Sequence, residues 1–267
     1  MAGLSELRKH LASAKSTNQM TNAMKTVAVS KYNRTLQRYE AFRPYMDCCS
    51  RFLKAAGGGG ISRKDDKRGR TYYVLVAGNR GLCGSFNADL LRYFRENREE
   101  GSRVIACGKW LAGRIEGADE RAISDVPDPE MTDGLARELL ELYVSGEAER
   151  VVLVYQQFKN MLVHEPVSRT FLPVEFSGEK DTDYLVLPEG DGLREEFTQR
   201  CLRAQLYGAF LSGAAACHSA TLTAMRTAAD NSEEMIKSLE KRLNRMRQSS
   251  VTTELLDILG GSSYTRG

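Results

Sequence analysis

Several absences narrow this chain before any motif is considered. Its six cysteines (Cys48, Cys49, Cys83, Cys107, Cys201 and Cys217) make no CxxC pair, and there are only three histidines. A zinc site and a disulfide scaffold are therefore disfavoured, and reduced cytosolic thiols fit better. No stretch approaches ~18 consecutive apolar residues, so no transmembrane helix is expected. The opening MAGLSELRKH lacks the apolar core of a secretory signal. All six prolines lie before residue 189, and the first 43 residues have none. From Leu7 to Tyr39 there is no acidic side chain. A basic stretch of that kind suits a transit peptide, a nucleic-acid arm, a helix face that meets an acidic protein partner, or a plainly solvated face.

What is present points to long helices around a globular middle. Apolar residues make up 42% of the 267, enough for a core. Residues 1–56 carry a net charge of +7, residues 193–267 a net +2, and the middle is acidic. Proline breaks helix interiors at about 3 kcal/mol, so proline-poor flanks permit long helices. Leu4, Leu7, Leu11 and Ala14 step by three and four; Met20, Met24 and Val27 repeat the step after a shift of phase. Leu36, Tyr39, Phe42, Met46, Cys49 and Leu53 continue a coiled-coil-like seam. Gly57 to Gly60 would be costly inside a helix, so 57–70 reads as a flexible linker. From Leu193 a second seam runs through Cys217, Thr221, Ala224, Ala228, Asn231, Met235 and Leu239 to Met246. Two such stripes are expected to bury each other as an antiparallel pair.

The middle reads as α/β. Short apolar runs at 71–77 (TYYVLVA), 103–107 (RVIAC) and 151–157 (VVLVYQQ) suit buried strands, and helical patterns at 87–97 and 131–144 lie between them. The alternation predicts a largely parallel, Rossmann-like sheet. A strand at 167–174 belongs at an edge because of its proline, and 184–187 is a weaker strand. The division expected is 1–56 coiled-coil helix, 57–70 linker, 71–190 α/β domain and 191–267 coiled-coil helix.

One turn invites a nucleotide. Residues 76–87 (VAGNRGLCGSFN) follow a strand and open a helix, with Gly78, Gly81 and Gly84 three apart and Asn87 placed to cap. The spacing is GxxGxxG, not GxGxxG, and no Gly-Lys-[Ser/Thr] follows. A tight turn needing positive φ accounts for the glycines equally well. Cys83 reads as a packed thiol or one activated at a helix N-terminus. His10, His164 and His218 are far apart, and Glu138 and Glu141 share a solvated helix face. No catalytic constellation emerges.

Four stretches together resemble the γ subunit of the F-type ATP synthase, the rotating central stalk. They are 20–33 (MTNAMKTVAVSKYN), 79–87 (NRGLCGSFN), 224–231 (AMRTAADN) and 244–259 (NRMRQSSVTTELLDIL); 158–173 and 183–188 also fit. The resemblance implies an antiparallel coiled coil of the terminal helices beside a Rossmann-like domain. It implies a non-catalytic subunit without cofactor or metal that couples ion flow through a membrane ring to ATP synthesis or hydrolysis in the catalytic head. The implied partners are the α and β subunits, the ε subunit and the membrane c-ring, with no nucleic acid. The implied location is the cytoplasmic face of the cell membrane, as a peripheral subunit. By motif position, Arg247 and Gln248, with Thr252 and Glu254, would contact catch loops of the head, and Met24 with Lys25 would lie near a lever loop. The family's Glu and Arg before "AM" are replaced by Cys217 and Thr221, a paired loss that removes a charged contact. The alternatives are a nucleotide-binding enzyme on a Rossmann-like fold and a coiled-coil nucleic-acid-binding protein.

Overall fold

The computed structural model describes residues 2–55, 61, 69–174 and 191–264, with side chains over 4–52, 61, 69–174, 195–253 and 255–256. In chain order the elements are α1 (Ala2–Ala55), β1 (Arg70–Val76), α2 (Phe86–Asn97), β2 (Arg103–Cys107), β3 (Asp119–Arg121), α3 (Pro129–Val144), β4 (Ala148–Phe158), β5 (His164–Leu172) and α4 (Asp191–Tyr264). The strand expected at 184–187, and all of the 57–70 connection except Ile61, Gly69 and Arg70, lie outside the described residues. The chain divides into two compact units: Met1–Val27 with Ala224–Gly267, and Ala28–Thr223.

The larger unit is built on a five-stranded sheet in the order β3-β2-β1-β4-β5. The first four strands are parallel and β5 runs antiparallel to β4. A parallel partner needs a crossover of about a dozen residues or more. The β4–β5 connection, closed by the Lys159 and Asn160 N–H groups on Val163 O, is too short for one. β5 occupies the edge, as expected, but it spans His164–Leu172 rather than 167–174: Pro173, which suggested an edge, lies just past the strand, and the proline within it is Pro166. β3, with the fully exposed sequence Asp-Glu-Arg, had no apolar signal to announce it. α3 begins where Asp128 accepts the Glu130 N–H and Pro129 supplies a preset φ.

Both sheet faces are covered. Leu90, Leu91 and Phe94 of α2, with Leu111 and Ile115, bury Tyr73, Leu75, Val104, Val152 and Val154. On the other face α3 contributes Ala136, Leu139, Leu140 and Tyr143, and α4 contributes Leu202, Leu206, Ala209 and Phe210. α4 is therefore a layer of the α/β fold as well as a seam helix. Its small-residue centre, 212–220, is buried almost all round, as expected of a helix with cover on every side.

The two long helices run antiparallel. In the larger unit Phe42 meets Tyr207 and Phe52 meets Phe197, with ring centroids 4.8 and 5.1 Å apart. In the smaller unit Lys15 pairs with Glu240 at 2.7 Å. The seam on α1 differs from the expected one. It keeps a strict seven-residue repeat through Leu7, Ala14, Thr21, Ala28, Thr35, Phe42 and Cys49, with no shift of phase. Met20, Met24 and Val27, expected on the seam, are 59%, 38% and 55% exposed. On α4 the stripe passes through Met225, Ala229 and Ser232, and Met235 is 58% exposed. From Ala14 to Ala28 the seam on α1 is lined by short side chains, and Met20, Met24 and Val27 are left outside.

Gly108 sits at φ +118, and a Cβ there would lie 2.5 Å from the Ala77 carbonyl oxygen. Gly113 is also at positive φ (+67) but faces open space. Gly108→Ala should therefore cost about 2–3 kcal/mol and Gly113→Ala about 1 kcal/mol in urea unfolding. Equal costs would show that the Ala77 backbone is not the constraint.

Candidate functional site

The glycine turn at the end of β1 is organised by Asn87. This residue does not cap α2; the helix begins after Ser85, which makes no side-chain cap bond. Asn87 is buried within the first turn. Its Oδ1 accepts the Gly78 N–H at 2.9 Å, and its Nδ2 donates to Arg80 O at 3.1 Å and to Cys83 Sγ at 3.2 Å. Leu82 and Gly84 take positive φ, +64 and +60. Gly78 is needed for a different reason, since a Cβ there would lie 2.7 Å from Cys217 Sγ. In open parallel sheets, ligands bind at the strand C-termini where the strand order reverses. Here that is between β1 and β4, and α4 fills it with Phe210, Gly213, Ala214, Cys217 and His218, leaving a cavity of about 30 Å³. Ligand pockets run to about 300 Å³ or more. The Gly78 N–H that might meet a phosphate is already taken by Asn87.

Beside the turn lies a polar node with no counterpart in the sequence reading. Asn79 Nδ2 donates to Ile123 O at 2.8 Å and to Asp125 Oδ1 at 2.9 Å, and its Oδ1 accepts the Lys109 N–H at 3.2 Å. Lys31 Nζ pairs with Asp125 Oδ2, and His218 Nε2 donates to Asp125 O at 2.7 Å. Hydrogen bonds from Asn79 and then Lys31 hold the Asp125 carboxyl below its usual range. Burial holds His218 below the ordinary imidazole value, the Asp125 contacts opposing it. The node joins α1, the glycine turn, the loop after β3 and α4. The imidazole is bonded to a backbone carbonyl rather than poised against a carboxylate, so the arrangement positions elements and offers no evident acid–base pair. Among the described residues no group of three or more His, Cys, Asp or Glu could hold a metal ion.

The residues singled out by motif position lie in the smaller unit. Met24 is exposed and Lys25 half-buried on the α1 seam. Arg247, Gln248 and Thr252 are exposed on α4, where Thr252 Oγ1 donates to Gln248 O at 2.9 Å. Glu254 lies within α4, but its side chain is outside the described residues. No hydrogen bond or ion pair among the described residues joins Met24 or Lys25 to Arg247 or Gln248. Counted along an antiparallel pair from the Lys15–Glu240 contact, the two groups stand roughly 24 Å apart. The structure thus brings Gln248 and Thr252 together and leaves Met24 and Lys25 as a second, separate point.

Comparison with known proteins decides the family. The family model described as ATP synthase matches residues 3–263. The ATP synthase γ chain of Parabacteroides distasonis is 31% identical, covering 99% of this chain and 100% of that one. The γ chain of Desulforamulus reducens is 32% identical over 98% of this chain and 99% of its own. The chain belongs to the ATP synthase γ-chain family. A chain of the Euglena gracilis mitochondrial ATP synthase, from a cryo-EM structure of OSCP, F1 and c-ring in rotational state 3, shares the fold. Its TM-score is 0.73 at 18% identity, with 99% of this chain and 95% of that chain covered.

By the motifs that carry the resemblance, Asp would be expected at Asn79, and Glu and Arg at Cys217 and Thr221. The structure shows how these departures settle. Asn79 supplies both a donor and an acceptor to the node, which an aspartate could not. The Thr221 hydroxyl turns back to Cys217 O at 2.8 Å, and the Cys217 thiol faces Cys83.

The node makes stability pH-dependent. His218 and His164 are both depressed by burial. Below the ordinary value of about 6.5 the unfolded chain takes up protons that the folded chain refuses. Stability is full above that value and falls as pH drops through the folded values. Asp125 adds a second loss at lower pH, as its depressed carboxyl is finally protonated. His218→Gln, whose amide can still donate to Asp125 O, should flatten the decline in urea midpoint between pH 7 and 5. An unchanged slope would exclude His218 as its source.

Proposed function

We propose that the chain is the rotary central-stalk subunit of an F-type ATP synthase and supplies no catalytic group of its own. The observation that carries this reading is the match to ATP synthase γ chains over 99% of the chain, laid on an antiparallel pair of long helices with an α/β layer between them in sequence. Ion flow through a membrane ring turns the stalk. Its uneven surface favours different conformations of the head's catalytic sites in turn, a population shift driven by differences in contact. Helices suit the task because every interior backbone polar group is bonded within the element.

The head contacts are proposed at Arg247, Gln248, Thr252 and Glu254, and at Met24 and Lys25. Two features support them. Met20, Met24 and Val27 form an exposed apolar ridge on the acid-free stretch of α1, a surface suited to acidic loops with apolar tips. The other point is the stretch of α4 around Thr252. Val251, Leu255 and Leu256 there are 50–63% exposed. The partners are the α, β and ε subunits and the c-ring. The working division is helix 1–56, connection 57–70, α/β domain 71–190 and helix 191–267. The subunit sits peripherally on the cytoplasmic face of the membrane; among the described residues no helix is long and apolar enough to cross one.

Co-expression with α and β subunits should yield a complex containing this chain, whereas the pure chain should turn over no ATP above a mock preparation. Arg247→Ala with Gln248→Ala should leave the fold intact, since both are exposed. It should lower turnover of the assembled complex by about tenfold, as loss of a charge-assisted contact does. Failure to assemble with α and β would remove the reading, and undiminished turnover of the variant would remove these two residues from it.

A further inference from the structure

The larger unit holds two thiol pairs in unlike surroundings. Cys49 on α1 and Cys201 on α4 share an apolar cluster with Ala204, flanked by Phe42 and Phe52. Burial and the Cys49 thiol push Cys201 up to about 12, which keeps it protonated and inert. Cys83, in the glycine turn, and Cys217, on α4, share a second cluster with Phe86, Ala216 and Ala220. Asn87 Nδ2 donates to the Cys83 sulfur at 3.2 Å, the Cys83 thiol reaches Arg80 O at 3.8 Å, and Cys217 packs against the same cluster. The neighbouring Cys217 thiol and the Asn87 amide outweigh burial and hold Cys83 below an ordinary thiol, toward the thiolate. The bare Cα of Gly78 makes room for Cys217 Sγ.

We propose that Cys83 and Cys217 form a reversible disulfide, driven by hydrogen peroxide, that ties the glycine turn to α4. Peroxide is the fitting oxidant because Cys83 is only 3% exposed. A molecule little larger than water can reach that sulfur, and a bulky one such as oxidised glutathione cannot. The Cys83 thiolate attacks one peroxide oxygen, the O–O bond breaks, and hydroxide leaves, giving Cys83 sulfenic acid. The leaving hydroxide takes the Cys217 thiol proton and becomes water. The Cys217 thiolate then attacks the Cys83 sulfur, the S–S bond forms, and the S–O bond breaks. The departing hydroxide takes a proton from solvent, replacing the one Cys83 had earlier released. In sum two thiols and one peroxide give one disulfide and two waters; the two sulfurs together lose two electrons and the peroxide gains them. A dithiol reverses the bond by exchange through a mixed disulfide. A transient cytosolic disulfide of this kind is a redox sensor rather than a structural staple. The chemistry belongs to the larger unit and does not depend on the assembly the chain joins.

Tryptic fragments 81–92 and 204–226 each contain one cysteine, Cys83 and Cys217 respectively. The folded full-length chain is treated with peroxide, blocked with N-ethylmaleimide under denaturing conditions, and digested without reductant. Mass spectrometry should find these fragments joined, and dithiothreitol should separate them. The yield should exceed that of any Cys49–Cys201 link by about tenfold, following the difference in thiolate character. Oxidised glutathione should give little of the product. Cys217→Ser should stop the reaction at a sulfenic acid on Cys83 that dimedone captures. Recovery of both fragments as alkylated thiols, under peroxide that oxidises exposed Cys48, would overturn the proposal. So would a Cys83 in Cys217→Ser that dimedone never labels.

Discussion

The larger unit depends on one burial event: the middle of α4 closing over the sheet. Leu202, Leu206 and Phe210 are at most 1% exposed, and they fill the same face as Leu139 and Leu140 of α3. Each such side chain contributes about 1.5–3 kcal/mol relative to exposure. Without α4, β1 and β4 would present Val74, Val76 and Leu153 to water at the centre of the sheet, where both neighbours are already paired. That burial also fixes what the fold cannot do. The crevice at the strand C-termini, where this topology usually receives a ligand, is occupied by the chain's own helix. The glycine turn is consequently shaped to admit α4. Gly78 yields to Cys217, Asn87 takes up the Gly78 N–H, and Ser212 Oγ accepts the Phe158 N–H at 2.9 Å.

Polar groups then set the register that apolar burial leaves loose. A helix can slide or rotate over an aliphatic face at modest cost, because dispersion is not directional. The Asp125 node is directional. Its carboxylate receives Asn79 and Lys31, and its carbonyl receives His218, so three elements must arrive together for all bonds to form. Lys31 and Asp125 are about one-third exposed, so the ion pair itself is screened and worth little. The greater cost falls on leaving the half-buried carboxylate or the buried imidazole without its partner.

Much of this was legible in residue order. β-branched runs located β1, β2 and β4, Pro173 just past β5 marked it as an edge strand, and proline-poor flanks located α1 and α4. The misses have physical causes. β3 is paired by backbone alone and carries three exposed charged residues, so hydropathy could not mark it. The α1 seam was displaced because apolar spacing was taken to mean burial. Thr21, Lys25, Ala28 and Thr35 occupy the interface, while Met20, Met24 and Val27 face outward. A seven-residue count from Leu7 to Cys49 would have found the true line, since period rather than residue type identifies it. Asn87 looked like a cap because Asn before a helix commonly is one, but its side chain serves three groups of the turn instead. Nothing in sequence linked Lys31, Asp125 and His218, which come from three separate elements. The motif residues Arg247 and Gln248 came from resemblance, and no feature of their spacing alone would have singled them out.

The inverted seam has a consequence for how the smaller unit is to be understood. Ala14, Thr21, Ala229 and Ser232 bury little apolar area, and the Lys15–Glu240 pair is half-exposed, so neither supplies much stability. At the same time large apolar side chains stand in water on both helices: Met20 and Val27 on α1, and Met235, Leu255 and Leu256 on α4. If pairing of the two helices were the sole demand on this unit, exchanging the inner and outer residues would satisfy it better. The observed arrangement keeps the helices close over Ala14 and Ala229 and turns Met20, Val27 and Met235 outward, with Leu7 and Met225 left as the larger buried side chains. A shaft read by a surrounding head needs those properties together: a narrow pair, and a surface whose sticky points differ from one side to another. From Leu7 to Val27 this unit's α1 carries no acidic side chain, and charge of one sign bears on the orientation of an approaching partner more than on its affinity.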